Sequence, residues 1–399
     1  DLLLAGGQLF HDRKHSRTNV RCQGGPHDQK LKYHGWTMKA LAILLLATTT
    51  VSAHNKGLNQ LFDGSPSAEK PRFSAPQPEA PPMPLAGEKS AAKVPRDLSD
   101  AKARVGIDAQ LAKLGSSTKE KFSFSVIGDA ERGRFPWQRV FSPGRHVFEK
   151  QLIALQAASP DFVFQLGDFV SKGTVDDYRD HLAVLEARAH VPLLRCVGNH
   201  DRSRPNGDAD KTLYDAVFGP RDYFFDRGNW RFISLDNSDR KLTPAQLTWL
   251  AKALDTPKQK VIFTHIPPSY IKSLTPLPEV GPLEEWSMDA DQAAAQRSAL
   301  NDFFTNFFKD GSEEFEALVS GRGVAAVYMG HIHAFWAADF KGVRYVISGG
   351  GGSPLYPLPP GYPKKRFAHF LNVEASASGL VETVHPYKGA PFVLPPVRP

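Results

Sequence analysis

Residues 191–201 read Val191-Pro-Leu-Leu-Arg-Cys-Val197-Gly198-Asn199-His200-Asp201. A short, mostly aliphatic run stops at a glycine and hands over at once to an amide, an imidazole and a carboxylate. The run has the length and apolarity of a buried strand. The C-terminal ends of such strands are where open α/β sheets gather functional side chains. The same handover occurs four more times. Phe122 to Ile127 leads into Gly128-Asp129, and Asp161 to Leu166 into Gly167-Asp168. Lys260 to Phe263 leads into Thr264-His265, and Val324 to Met329 into Gly330-His331-Ile332-His333. Asp129, Asp168, Asp201, Asn199 and four histidines are too polar a set for a core. They suit a dinuclear metal site of the kind that hydrolyses phosphate esters.

Between these clusters the pattern alternates. Strands near 122–128, 162–166 and 192–197 are followed by helical patterns near 144–158, 175–188 and 210–217. Extended runs at 223–225 and 230–235 precede a helix that Thr243 caps and Pro244 opens. A strand at 260–264 and a helix near 291–309 come next, and strands at 324–329, 334–339, 343–348, 367–374 and 379–385 close the chain. Alternating α/β units that end in a strand-rich half predict an α/β fold: a four-layer α/β/β/α sandwich of two mixed sheets with helices outside.

The ends read differently. Met38 to Ala53 has a basic Lys39, an apolar stretch from Ala40 to Ala47 and a small-residue Val51-Ser52-Ala53 site, the pattern of a cleaved export signal. The stretch is too short to span a bilayer, so no stable membrane anchor is expected after cleavage. Residues 1–37 are read as an upstream extension foreign to the fold, and 54–118 as a Pro-rich disordered linker with a short helix from Ala101 to Leu114. The folded domain is expected over 119–388, with a tail at 389–399. Export places the protein in the periplasm or outside the cell.

Composition narrows the function further. Of a net charge of +7, residues 1–37 supply +3 and Lys39 one more, leaving +3 from residue 54 onward. That mild excess suits an anionic small molecule but is no nucleic-acid footprint. Two cysteines, Cys22 and Cys196, make no disulfide framework. Cys196, in a strand-like run, reads as an inert core thiol.

Taken singly, each Gly-Asp pair is a turn or a helix cap, and His265 before Ile266-Pro267 is a core residue. In combination, Gly167-Asp168, Gly198-Asn199-His200-Asp201, Thr264-His265 and Gly330-His331-Ile332-His333 resemble the calcineurin-like metallophosphoesterase superfamily, which includes purple acid phosphatases. The resemblance covers residues 121–386, including the glycine-rich Ser348 to Ser353. It implies that Asp168 bridges two metal ions drawn from Fe, Mn and Zn. Asp129 and His333 would bind one, and Asn199, His265 and His331 the other. His200 would be the general acid, with Asp201 holding it in orientation, while metal-activated hydroxide attacks a phosphomonoester or phosphodiester without a phosphoenzyme. Loops at 130–145, 202–210 and 267–290 would shape substrate choice.

One departure bears on the metals. Much of the superfamily has Asp-x-His in the first motif, and here Asp129-Ala130 is followed by Glu131. The tyrosine that purple acid phosphatases carry three residues after the second-motif Asp is Ser171. Glu131 could ligate the metal directly and give a harder, oxygen-rich site, or His146 could substitute for the missing histidine. A third reading is a depleted first site in a weakly catalytic or inactive protein that binds a phosphorylated ligand or a partner.

Overall fold

A computed structural model of the chain describes residues 94–131, 144–205, 209–274, 307–355 and 367–397. The export signal, the upstream extension, most of the linker and the helix expected over 291–306 fall outside these residues. Among the described residues, no helix is long and apolar enough to cross a membrane.

Two six-stranded mixed sheets form the centre. Strands are β1 (Phe122–Ile127), β2 (Phe162–Gln165), β3 (Leu193–Arg195), β4 (Tyr223–Arg227), β5 (Trp230–Ser234) and β6 (Gln259–Phe263). They continue as β7 (Val324–Met329), β8 (Phe335–Phe340), β9 (Val343–Ser348), β10 (His369–Ser376), β11 (Gly379–Pro386) and β12 (Phe392–Val393). One sheet runs β12-β11-β10-β1-β2-β3 and the other β4-β5-β6-β7-β9-β8. In the first, β1, β2 and β3 are parallel, with β10 antiparallel beside β1. In the second, β5, β6, β7 and β9 are parallel and the flanking β4 and β8 antiparallel.

The continuous apolar runs follow from burial on both faces of each sheet. Alternate residues of β1 and β2, namely Phe124, Val126, Phe162 and Phe164, enter the core between the sheets and meet Phe232, Phe263 and Tyr328. The Phe164 and Phe263 rings stack with centroids 3.7 Å apart. The opposite faces carry helices. Outside the first sheet lie α1 (Arg96–Val105), α3 (Gly144–Ala157), α4 (Val175–Arg188) and α5 (Thr212–Val217), while α2 (Ile107–Leu114) lies against β3 and turns Ile107 and Leu111 into the core between the sheets. Outside the second lie α6 (Pro244–Ala253) and α7 (Ser312–Val319), whose Trp249, Leu250 and Phe315 pack with Ile262 and Val327. The expected four layers are present.

At α6 the local prediction holds in detail. Thr243 Oγ1 accepts from the Gln246 N–H at 3.2 Å, and the Gln246 side chain accepts from the Thr243 N–H at 3.1 Å, a capping box with Pro244 in the first turn.

Three expectations need correction. The linker does not run to residue 118: α1 and α2 belong to the domain, with Leu98 and Ala101 buried against Tyr178 and Phe218 and the Ile107 N–H bonded to the Phe218 carbonyl at 2.7 Å. The C-terminal stretch is not a free tail, because β12 extends the first sheet and Val397 pairs with Leu380. Residues 307–309, the described end of the helix expected near 291–309, are not helical, and Phe308 bridges Pro268; the helix α7 that follows them was not expected.

Candidate metal centre

Each polar cluster sits where its strand ends. Asp129 follows β1, Asp168 follows β2, Asn199 and His200 follow β3, His265 follows β6, and His331 and His333 follow β7. The first three strands are parallel in one sheet and the other two in its partner, so two strand-end rows meet at one rim. The glycine-rich stretch after β9 crosses from the second sheet to the first. Gly351 N–H bonds to the Gly128 carbonyl at 2.6 Å, and Ser353 N–H to the Asp129 carbonyl at 2.9 Å.

The turns that aim these groups are strained. Asp129, Asp168 and His331 have φ of 56°, 48° and 68°, a left-handed conformation uncommon outside glycine and concentrated at functional sites. Gly198 is needed for a different reason. A Cβ there would lie 2.2 Å from both the N and the Oδ1 of Asp168, so any side chain would push the two loops apart.

Two sets of ligand atoms converge, one from Asp168, His265 and His331 and the other from Asp129, Asp168 and His333, with the atoms of each set within 4.8 Å of one another. Asp168 is common to both. His265 Nε2 lies 3.1 Å from Asp168 Oδ2 and 3.1 Å from Asn199 Oδ1, and His331 Nδ1 is 2.8 Å from the same Asn199 oxygen. On the other side, His333 Nε2 is 3.5 Å from Asp129 Oδ1. Two imidazoles are held by their other nitrogens, His265 Nδ1 at 2.7 Å from the Leu166 carbonyl and His333 Nδ1 at 2.8 Å from the Pro354 carbonyl. Such contacts fix the tautomer and present Nε2 inward, as in metal-ligating histidines. All of these side chains are buried. Carboxylate, amide and imidazole donors in this arrangement fit a pair of cations.

The ionisation pattern shows how tightly the set is coupled without a metal. Burial works against charge on Asp168, but His265, His200 and His331 outweigh it and hold the carboxyl well below its usual range. Burial also opposes charge on His265, yet Asp168 and Asp129 push that imidazole up to about 9. His331 goes the other way: burial, then the neighbouring His265 charge, drive it well below its ordinary value. Burial raises Asp129, with His333 pulling against it.

His200 belongs to neither set. Its backbone N–H bonds to Asp168 Oδ1 at 2.8 Å, while ring Nδ1 lies 2.9 Å from the Ser171 carbonyl and 3.3 Å from Glu131 Oε2. Asp201 does not orient it. The Asp201 carboxylate instead accepts four backbone N–H bonds: Gly198 at 2.7 Å and Asp168 at 2.9 Å on Oδ2, Phe169 at 2.9 Å and Val170 at 3.3 Å on Oδ1. It ties the Asp168 loop to the His200 loop. Burial and the Asp168 charge lift its carboxyl to about 7, and the four N–H groups favour its anion.

Neither Glu131 nor His146 belongs to either set, but Glu131 is buried beside His200 and His333, whereas His146 is exposed on the first turn of α3. Asn237 and Arg202 are site residues that the motifs leave out. Asn237 Oδ1 accepts from the His265 and Ile266 N–H groups at 3.2 and 2.9 Å. Buried Arg202 bonds to the Asn199 and Pro205 carbonyls at 3.2 and 2.9 Å and pairs with Asp239. The available signal was position, since Asn237 ends the β5 run as the ligands end theirs and Arg202 directly follows Asp201. Of the three substrate loops, residues 132–143, 206–208 and 275–290 fall outside the described residues.

The family model of the calcineurin-like phosphoesterases matches residues 126–335. No curated protein matches the chain. Among solved structures, a purple acid phosphatase isolated from yellow lupin (Lupinus luteus) seeds aligns with a TM-score of 0.50 at 16% identity, covering 70% of this chain and 55% of the lupin chain. The chain thus spans about half the length of that protein. A dimetal phosphatase from Danio rerio aligns with a TM-score of 0.45 at 14% identity, covering 68% of this chain and 98% of its own. At these identities the likeness to the lupin protein is one of fold.

Proposed function

Because the chain belongs to the calcineurin-like phosphoesterase family, we propose that it is an exported, metal-dependent hydrolase of small phosphomonoesters or phosphodiesters. One observation carries the reading. Asp168 is shared by two converging ligand sets, and an imidazole outside both, His200, is anchored beside them. The second set, Asp129 with Asp168 and His333, supports an assembled first site over a depleted one.

Asp129, Asp168 and His333 would hold one cation, and Asp168, Asn199, His265 and His331 the other. Bound there, the cations, drawn from Fe, Mn or Zn, would supply electrophilic stabilisation of the phosphoryl oxygens and acidify water. The rest is done by the chain. His200 Nδ1 is committed to the Ser171 carbonyl, so proton transfer falls to Nε2. As the oxygen of a water that has released one proton to solvent bonds to phosphorus and the ester P–O bond breaks, Nε2 would give its proton to the departing oxygen, a contribution of roughly 10²–10⁴-fold, and would regain a proton from solvent. Asp201, Asn237 and Arg202 hold the three loops in register, and such positioning sustains an in-line geometry.

The test is metal content together with turnover of an aryl phosphate and an aryl phosphodiester, on the chain from His54 and on its His200→Ala variant. Two metals per chain with turnover are expected in the wild type, and the better ester separates monoesterase from diesterase. The variant should keep its metals and lose most turnover. Metal loss parallel to activity loss would remove His200 from the acid role, and no turnover after supplying Mn, Zn or Fe would refute the hydrolase. Export rests on the Met38 to Ala53 pattern. Sequencing the mature protein should find His54 first, and an N-terminus at Met38 would refute cleavage.

A further inference from the structure

We propose that Glu131 completes the Asp129–Asp168–His333 site as a third carboxylate and biases that site toward a hard cation such as Mn²⁺ over Zn²⁺. The inference rests on the reading that the two ligand sets hold cations. Glu131 lies two residues after Asp129, and its backbone is fixed from two sides. Ala130 N–H bonds to the Asp168 carbonyl at 2.9 Å, and Ser353 Oγ reaches the Glu131 carbonyl at 3.4 Å. The side chain is 3% exposed, a position where a carboxylate needs compensating charge. Its two oxygens face different groups. Oε2 is 3.3 Å from His200 Nδ1, and Oε1 is 3.9 Å from His333 Nε2.

Two donors that each bind one ion at about 2.1 Å stand at most about 4.2 Å apart. Measured from His333 Nε2, Glu131 Oε1 at 3.9 Å and Asp129 Oδ1 at 3.5 Å meet that limit; Glu131 stands just outside the converging set of Asp129, Asp168 and His333, so its carboxylate would close on the ion as the ion binds. The two sites then differ in kind. One has three carboxylates and one imidazole, and the other has one carboxylate, one amide oxygen and two imidazoles. Carboxylate-rich sets favour Mn²⁺ and Mg²⁺, whereas imidazole favours Zn²⁺ and Fe. The same side chain reaches His200 through its other oxygen, so the residue that fills the first site also borders the proposed acid.

The experiment compares wild type, Glu131→Gln and Glu131→His, each stripped with chelator and reloaded from mixed Mn²⁺ and Zn²⁺. Bound metal is read by elemental mass spectrometry, and Mn²⁺ by electron paramagnetic resonance. Glu131→Gln, nearly the same shape, should weaken one of two sites by at least the roughly ten- to a hundred-fold seen for supporting metal contacts. Glu131→His should lower the Mn²⁺-to-Zn²⁺ ratio at one site by about tenfold or more. Glu131→Asp, which keeps the charge, serves as a check should either variant unfold, and should retain more Mn²⁺ than a folded Gln variant. Two metals bound by wild type with an unchanged ratio in the variants would overturn this inference alone. No metal bound by wild type would overturn it together with the metal-centre reading.

Discussion

Replacing Asp201 by Asn tests whether this residue serves the loops or the imidazole. In the wild type each carboxylate oxygen accepts two backbone N–H bonds, from Gly198 and Asp168 on Oδ2 and from Phe169 and Val170 on Oδ1. The amide has one oxygen and one NH₂. Whichever way it turns, two buried N–H donors face a donor and lose their acceptor. Each buried N–H left without a partner costs about 1–3 kcal/mol, so Asp201→Asn should destabilise the domain by roughly 2–6 kcal/mol. Against a total of about 5–15 kcal/mol, that is a large share. The assay is urea denaturation in the presence of chelator, which removes the metal's own contribution to the folded state. Metal content is then measured on the loaded protein. The loss of stability should appear with and without metal, and metal affinity should fall as the Asp168 loop loosens. A variant within 1 kcal/mol of wild type that keeps its metals but loses turnover would return Asp201 to orienting His200 and refute the reasoning.

Two pH effects follow from buried histidines. Asp168 and Asp129 overcome burial to raise His265 to about 9, above the ordinary ~6.5, so their pairing stabilises the metal-free protein fully below about 6.5 and less as pH rises through 9. A ligand imidazole must be neutral, so metal loading at pH 7.5 should release a proton, and affinity should climb as pH rises towards about 9; calorimetry in two buffers of unlike ionisation enthalpy giving identical heats would count against this. His369, with Nδ1 at 2.8 Å from the Phe367 carbonyl and Nε2 at 3.1 Å from Ser348 Oγ, is pushed down to about 4 by burial. Its folded value lies below the unfolded one, so its contribution is complete above about 6.5 and is lost as pH falls through 4, reaching about 3 kcal/mol. Urea midpoints of wild type and His369→Gln should converge between pH 7 and pH 4.5, and parallel curves would refute the assignment.

The central strands were legible because they are buried on both faces. Such strands carry no polar face to blur the run, and a glycine followed by a polar residue marks four of the five exits. The capping box at Thr243 was legible because its chemistry is local. A helix over part of 101–114 was expected, but that α1 and α2 belong to the domain was not legible, since α1 buries Leu98 and Ala101 through contacts with distant α4 and α5 and the rest of its surface is polar and charged. Likewise α7 carries Glu313, Glu314 and Glu316 around a core face that includes Phe315 and Val319, too short a stripe to stand out as a helix. Motif spacing picked out the ligands but not the task of Asp201, because its partners are backbone N–H groups, which no residue type encodes. The choice between Glu131 and His146 was closed to sequence for a related reason. Both follow Asp129 in the chain, and only the path of the backbone buries one and exposes the other.

The strained turns explain how the centre keeps its shape. A left-handed turn at a non-glycine residue costs roughly 1–2 kcal/mol, and Asp129, Asp168 and His331 each adopt one. The ligands themselves hold these turns. The Asp129 carboxylate accepts from the His331 N–H at 3.0 and 3.1 Å, Asp168 Oδ1 accepts from the His200 N–H, and the Asp168 N–H donates to Asp201. Each first-motif or second-motif carboxylate would therefore have one duty toward the proposed cations besides the one it has toward the backbone of a neighbouring loop. The geometry is built before a metal arrives, and little reorganisation remains for the binding step. The same double duty means that removing a ligand side chain loosens a loop as well as a site. Losses of metal affinity and of stability should then be inseparable at Asp129 and Asp168, but separable at Glu131, whose backbone is held by others.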